Sequence, residues 1–341
     1  MNRALSDTLP AGNDAELGAS TGAGRPLAIQ AQGLVKRFEG TLAVDGVDIA
    51  VPEGAIFGIL GPNGAGKTTT LRMLLGIIEP DSGTRTLLGH RRPADVARAV
   101  GYLPEERGLY PSMKAFEAIA FMGALRGLPL AQGRRRGRAL LEENGLGHAA
   151  DRQIRQLSKG MAQTVQLLGT LVHEPRLVVL DEPFSGLDAI NQGKLERLIR
   201  RLAANGTTVI FSTHVIAHAE RLCEEIAIIA GGKVPFAGGV DEARDRIPAQ
   251  VRLETRRGEG SWRAALPADT EHDTKADGTH LWSFDLPDGG PEPLLRKLIE
   301  GEAGILSLSI ERAGLHDAFV EIAGEAAARA LEVDEQVKAS E

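Results

Sequence analysis

The run AIFGILGPNGAGKTTT, residues 55–70, constrains this chain more tightly than any other stretch. A short apolar strand, Ala55–Leu60, runs into a glycine-rich loop. The loop runs into a helix marked by Leu71, Leu74 and Leu75. Gly61, Pro62, Asn63, Gly64, Ala65, Gly66, Lys67 and Thr68 satisfy G-x-x-x-x-G-K-[ST] in full, and Thr69 continues it. Such a loop lets backbone N–H groups turn inward around phosphate oxygens, and the helix N-terminus adds the positive end of its dipole. Lys67 is placed to reach the β- and γ-phosphates, and the Thr68 hydroxyl to ligate Mg²⁺. A strand that feeds a helix in this way needs a parallel sheet with crossover helices, so the chain is expected to be α/β.

The remaining pattern agrees. Leu27–Phe38 and Ala43–Val51 are alternating, turn-bounded runs that read as half-buried strands. Leu177–Leu180 and Thr207–Thr213 read as strands, and Ile226–Ala230 as another. Leu195, Leu198, Ile199 and Leu202 form an i, i+3, i+4, i+7 stripe, stopped by Asn205-Gly206. Residues from about 107 to 160 read as helical and arginine-rich. After Asp241 the texture changes. Val251–Glu254, Leu281–Leu286 and Ile305–Ile310 read as strands, and Pro293–Glu300 and Leu315–Ile322 as helices; Trp262 and Trp282 both fall here. This is the pattern of a small α+β domain at 241–325. Segments 1–26 and 326–341 are expected to be a disordered tail and a flexible tail. No internal repeat is visible, so one nucleotide-binding unit is expected.

Several residues carry candidate chemistry. The strand LVVL delivers Asp181 and Glu182 to the carboxyl edge of the sheet, where ligands bind in open α/β folds. Two adjacent acids at the end of a dry strand are costly unless a cation or substrate answers them. Asp181 is expected to hold Mg²⁺ and Glu182 to polarise an attacking water. His214, closing FSTH, is placed to donate to a γ-phosphate. His214, His218 and Cys223 could be read as a metal site, but too few good ligands gather there, and His218 is expected on a helix surface. Phe38 either stacks on adenine or packs into a core. Ser158, in LSKGM, is a good helix cap as well as a candidate phosphate contact. Arg134–Arg136 and Arg138 read as a solvated face or as a contact for anionic lipid or a membrane partner.

Taken in order, an aromatic ahead of the phosphate loop, GPNGAGKT, GYLPEERG, QLSKGMAQ, LVVLDEP, SGLD and STH resemble the ATP-binding subunit of an ATP-binding-cassette (ABC) transporter, over about Leu27 to Gly239. The resemblance implies a P-loop ATPase core at 27–240, with an N-terminal antiparallel β subdomain and a helical subdomain at about 107–160. It implies ATP and Mg²⁺ as cofactors, Glu182, His214 and Lys67 as catalytic residues, and Glu105 near the metal with Thr68 and Asp181. It implies a head-to-tail dimer, with a second copy or a homologous subunit, in which Ser158 and Gly160 bind the γ-phosphate of ATP held by the other subunit. Asp188 would link the two sites. Separate transmembrane permease subunits are implied, with this chain on the inner face of the cell membrane. The C-terminal segment is similar in position and size to the accessory domain of export-type relatives, so export is the expected direction. Two residues depart from the family pattern: Lys159 and Met161 replace Gly and Gln, and Glu105 replaces Gln after GYLP. Lys159 is thus expected to add a cation near the partner's γ-phosphate.

Composition narrows the rivals. A net charge of −7 argues against a general nucleic-acid binder, and so against a soluble ATPase acting on nucleic acid or ribosomes. Glu182 and His214 argue against a non-hydrolysing nucleotide switch. A single cysteine, Cys223, excludes an internal disulfide and fits a reducing cytosol. No apolar run is long enough to cross a bilayer.

Overall fold

The computed structural model describes residues 25–106, 108–324 and 327–331. All but two residues of the expected N-terminal tail, the start of the expected helical segment at residue 107 and most of the expected C-terminal tail lie outside them. The chain opens with β1 (Leu27–Phe38) and β2 (Thr41–Pro52), an antiparallel hairpin. Next come β3 (Ile56–Leu60), the phosphate loop, α1 (Lys67–Leu74), β4 (Ser82–Leu87) and β5 (Val100–Leu103). A helical insertion follows, made of α2 (Ala115–Leu125), α3 (Leu130–Glu143) and α4 (Lys159–Leu171). The chain returns through β6 (Leu177–Leu180), α5 (Ala189–Ala204), β7 (Thr208–Thr213), α6 (Ile216–Leu222), β8 (Glu225–Ala230), β9 (Lys233–Gly239) and α7 (Val240–Arg244). The C-terminal part holds β10 (Gln250–Thr255), β11 (Glu271–Thr274), β12 (His280–Asp285), α8 (Pro291–Glu300), β13 (Ile305–Glu311) and α9 (Leu315–Ala323).

The central sheet has the order β5-β6-β7-β3-β8-β9, with only β9 antiparallel. β3, β6 and β7 are buried along their whole length, as parallel strands covered on both faces must be. One face packs against α1 and the sheet β2-β1-β4 through Val44, Val47, Ile49, Leu71 and Met73. The other packs against α4 and α5 through Leu167, Leu171, Leu195 and Ile199. The stripe on α5 therefore faces the sheet, as its spacing requires. Among the described residues no helix is long and apolar enough to cross a membrane.

Four antiparallel strands, ordered β11-β12-β10-β13, form the sheet of the C-terminal part. Its core gathers Val251, Leu253, Phe284, Leu294 and Leu298 around the two tryptophans. Trp262 and Trp282 meet edge to face at 5.2 Å, and the Trp282 indole N–H donates to Thr255 Oγ1. β4, β5, β9 and β11 are not evident in the sequence, because they are short, polar or edge strands whose pattern is set by pairing.

Helix α9 does not pack on this sheet. Leu315, Ala318 and Phe319 of α9 bury against Leu60, Ile216, Ile226 and Ile228 of the central domain. Glu220 of α6 accepts from the Leu315 backbone N–H at 3.1 Å and from Arg244 at 2.6 Å. Both ends of the C-terminal part, α7 and α9, are thus held by one carboxylate on α6. Phe319 is fully buried, so Phe319→Ala is expected to cost about 3–5 kcal/mol. Urea denaturation followed through the nucleotide-binding core checks this; a loss confined to the tryptophan signal of the C-terminal sheet would contradict it.

Candidate active site

Strand register builds the site. Leu180 pairs with Phe211, and Leu60 with Thr213. The residues that follow these pairs, Asp181, Gly61 and His214, therefore leave the sheet at the same carboxyl edge. The phosphate loop is pinned there from behind. Gly232 donates to the Ala65 carbonyl, and Asp45 of β2 donates to Gly232. Two loop positions admit only glycine: a Cβ at Gly61 would stand 2.2 Å from the Ile229 carbonyl oxygen, and one at Gly66, where φ is 105°, 2.6 Å from that of Ala43. No acidic residue sits in the first turn of α1, so its N-terminal N–H groups face the loop unneutralised.

A cavity of 340 Å³ opens over this loop. It is lined by Ala43, Asn63, Gly64, Gly66, Lys67, Thr68, Thr69, Glu105 and Glu182. Gly61, Pro62 and Ala65 are buried beneath it. The buried Lys67 ammonium donates to the Gly61 carbonyl at 2.6 Å and the Pro62 carbonyl at 3.2 Å, and lies 3.0 Å from Glu182 Oε1. That last contact is an ion pair, so the ammonium charge answers Glu182 Oε1 although no other donor among the described residues reaches it. His214 Nδ1–H donates to the other oxygen, Oε2, at 2.8 Å. Burial alone would push the Glu182 carboxyl up. The His214 hydrogen bond and the Lys67 charge outweigh that and hold it down to about 2, so it is ionised at neutral pH. Glu182 also sits at φ 47°, a left-handed conformation rare for a side-chain-bearing residue and concentrated at functional sites.

Asp181 stands beside it. Its Oδ1 accepts from Ser212 Oγ at 2.7 Å and from Thr68 Oγ1 at 3.1 Å. Its Oδ2 is buried with no hydrogen-bond partner. A buried carboxylate oxygen left open is expensive, so this atom awaits a ligand. Thr68 and Asp181 thus meet as expected, with Glu105 on the cavity wall.

The other sequence-marked residues are elsewhere. Ser158 caps α4, accepting from the Met161 N–H at 3.3 Å, and Asp188 caps α5, accepting from the Asn191 N–H at 2.8 Å. Ser158 and Gly160 line a separate hollow, not the phosphate cavity of their own chain. Phe38 is 43% exposed at the tip of the β1–β2 hairpin and does not line the cavity, so the core-packing alternative fails. His218 is not a surface residue. It is buried, stacked on Phe184 at 4.0 Å, because α6 lies against the segment that follows Glu182. Burial and the nearby Arg221 charge push its imidazole down, so it is neutral. Cys223 is half-buried, and no group of three metal-ligating side chains gathers among the described residues. Of the arginine cluster, Arg138 makes a two-armed contact with Asp151, and Arg136 binds the Val172 carbonyl, so these two are occupied within the helical part.

Three site residues escaped the sequence reading. Ser212 accepts from the Glu182 N–H at 2.9 Å while donating to Asp181. Gln163 of α4 donates to the Pro183 and Ser185 carbonyls just beyond Glu182. Gln166, also on α4, donates to the Glu106 carbonyl and holds the Glu105 loop. Each is a polar residue inside an apolar run, the one signal that could have marked it. Ser212→Ala strips a buried N–H and a buried carboxylate of one partner each and is expected to cost about 1–3 kcal/mol. Chemical denaturation checks it; an unchanged midpoint would show that the hydroxyl holds neither acid.

Comparison with known proteins agrees with this geometry. The ABC transporter family model matches residues 44–185. An uncharacterised ABC transporter ATP-binding protein of Bacillus subtilis, YhaQ, is 32% identical over 301 residues, 85% of this chain and 97% of the relative. The daunorubicin/doxorubicin resistance ATP-binding protein DrrA of Streptomyces peucetius is 37% identical over 227 residues, 66% of this chain and 69% of its own. The Nod factor export ATP-binding protein I of Ralstonia nicotianae is 40% identical over 215 residues, 62% of this chain and 67% of its own. Among solved structures, an ATP-binding subunit of an ABC transporter matches with a TM-score of 0.60 and 31% identity, over 64% of this chain and 92% of that one. With a strand-fed phosphate loop, paired carboxylates and a relative, YhaQ, aligned along nearly its whole length, the chain belongs to the ABC transporter family, as an ATP-binding subunit with ATPase activity.

Proposed function

We propose that this chain is the ATP-hydrolysing motor of an exporter and works through separate membrane-spanning partners. The observation that carries this reading is the ionised, buried Glu182 held 3.0 Å from Lys67 on the wall of the phosphate cavity. ATP phosphates entering the cavity draw Lys67 away from Glu182. The carboxylate then loses a cationic partner, becomes more basic and is free to orient and polarise a water. His214, still bonded to Oε2, keeps the carboxylate aimed. The products are ADP and phosphate. Mg²⁺ fits the residues present: the open Asp181 Oδ2, with Thr68 and Glu105 nearby, would hold it. Few protein ligands gather, so phosphate and water oxygens would complete its shell. It would supply charge neutralisation for the phosphates.

Ser158 and Gly160 do not line their own chain's phosphate cavity. This supports the reading that they serve the ATP of a second copy or a homologous subunit, paired head to tail, with Asp188 at the shared interface. An apolar groove of 260 Å³ beside the Glu105 loop, lined by Leu109, Tyr110, Phe121 and Leu125, supports a seat for a permease subunit. Tyr110 is 57% exposed and Leu125 70% exposed there. Such a seat would keep the chain at the inner face of the membrane. The similarity to a drug-resistance protein, DrrA, and to a Nod factor export protein supports export. Phe38 at the hairpin tip would reach adenine from the side of the cavity that Ala43 lines.

Lys67→Ala removes a charged donor and is expected to weaken ATP binding about tenfold to a hundredfold. Glu182→Gln is expected to keep binding but slow hydrolysis about 10²–10⁴-fold, because an amide is no base. It should accumulate as an ATP-bound dimer on size exclusion. A Glu182→Gln protein that stays monomeric and hydrolyses at the normal rate would sink the assignment. A second experiment addresses the paired subunits. Ser158→Arg is expected to abolish hydrolysis while leaving monomer ATP affinity within about twofold, since it does not line the chain's own cavity. Mixed with Lys67→Ala protein, it should recover activity from one composite site. Monomers that lose ATP affinity as severely as Lys67→Ala would place the loop in its own pocket.

A further inference from the structure

Lys159 is the first residue of α4 and is exposed. Its side chain leaves the start of α4 and bends back within its own chain. Its ammonium lies 4.0 Å from where a Cβ on Gly186 would stand. There it lines a cavity of 190 Å³ together with Glu105, Asp181 and Glu182, closed by Gln163, Gln166 and Ser185. Among the described residues neither Lys159 nor Glu105 makes a close ion pair; the two exposed charges share the cavity without touching. Asp181, whose Oδ2 has no hydrogen-bond partner, is one of its lining residues. The two loops that carry these charges are fixed by one helix, because Gln163 and Gln166 of α4 hold the segments after Glu182 and around Glu106.

We infer that Lys159 is a resident counter-ion for the Glu105–Asp181 carboxylates, a positioning residue that sets how strongly nucleotide binding depends on Mg²⁺. The inference rests on the proposed use of the phosphate cavity for ATP. With Lys67 counted against Glu182, three carboxylates face two ammonium groups and leave one excess negative charge. Phosphates entering beside Glu105 meet that reduced repulsion even without metal. A divalent cation entering beside Asp181 meets a like-charged ammonium. Lys159 therefore favours metal-free ATP and disfavours Mg²⁺, and the flexible stem lets the ammonium swing out when the metal displaces it. Removing it doubles the excess negative charge; removing Glu105 cancels it; removing both restores the original balance.

The test measures equilibrium binding of ATP by calorimetry, once with excess Mg²⁺ and once with a chelator, and takes the ratio of the two affinities. Lys159→Gln is expected to raise that ratio about three- to tenfold, and Glu105→Gln to lower it by a similar factor. Lys159→Arg, which keeps the charge, should stay within about twofold of the original, as should the Lys159→Gln/Glu105→Gln double variant. A Lys159→Gln ratio within twofold of the original overturns the inference, and so does Lys159→Arg shifting the ratio as far as Lys159→Gln. Unmodified protein that binds no ATP in either condition overturns the reading of the cavity itself. Unmodified protein that binds ATP normally, with a ratio blind to Lys159, overturns only the counter-ion role.

Discussion

The buried chain Lys67–Glu182–His214 is the contact on which the rest of this site depends. Taking a carboxylate and an ammonium out of water costs several kcal/mol per ion unless each is answered. Here each is. Lys67 has two loop carbonyls and one carboxylate, and Glu182 has an ammonium on one oxygen and an imidazole on the other. Geometry that exact requires three strands in fixed register, a glycine loop pressed against neighbouring carbonyls, and a glutamate in a left-handed backbone conformation. The parallel sheet supplies the rigidity, since strands buried on both faces have little room to slide.

This pairing also holds the candidate base weak, because the Lys67 charge and the His214 hydrogen bond stabilise the Glu182 carboxylate. Phosphate oxygens compete for the same ammonium. In the proposed mechanism, substrate entry and activation of the base are thus one exchange of partners. The open Asp181 Oδ2 is the complementary feature, a buried acceptor whose satisfaction awaits the same event.

Around this centre the helices act as clamps. α4 holds the backbone on both sides of the carboxylates through Gln163 and Gln166, so any shift of α4 is felt by the Glu105 loop and by the segment after Glu182. On the other side, α6 follows His214 directly, stacks His218 on Phe184 and anchors α7 and α9 through Glu220. The C-terminal sheet hangs between those two helices. Its position is thus tied to the helix that follows the histidine at the centre of the site.

Much of this was legible in the residues themselves. The glycine loop, the strand ending in Asp181 and Glu182, the helical stripe of α5 and the strand ending in His214 are local patterns, and local physics dictates them: glycine for close approach, apolar runs for burial, acids where a cation is due. Sequence could not place what pairing and packing decide. Short strands such as β5 and β11 exist because neighbours hydrogen-bond them. His218 is buried because a helix lands on Phe184, and α9 joins the central core because Phe319 finds Leu60 and Ile228 there. Ser212 bridges two acids only because β6 and β7 lie side by side in register. Lys159, Glu105, Asp181 and Glu182, distant along the chain, line one cavity only because the fold brings the start of α4 beside the ends of β5 and β6.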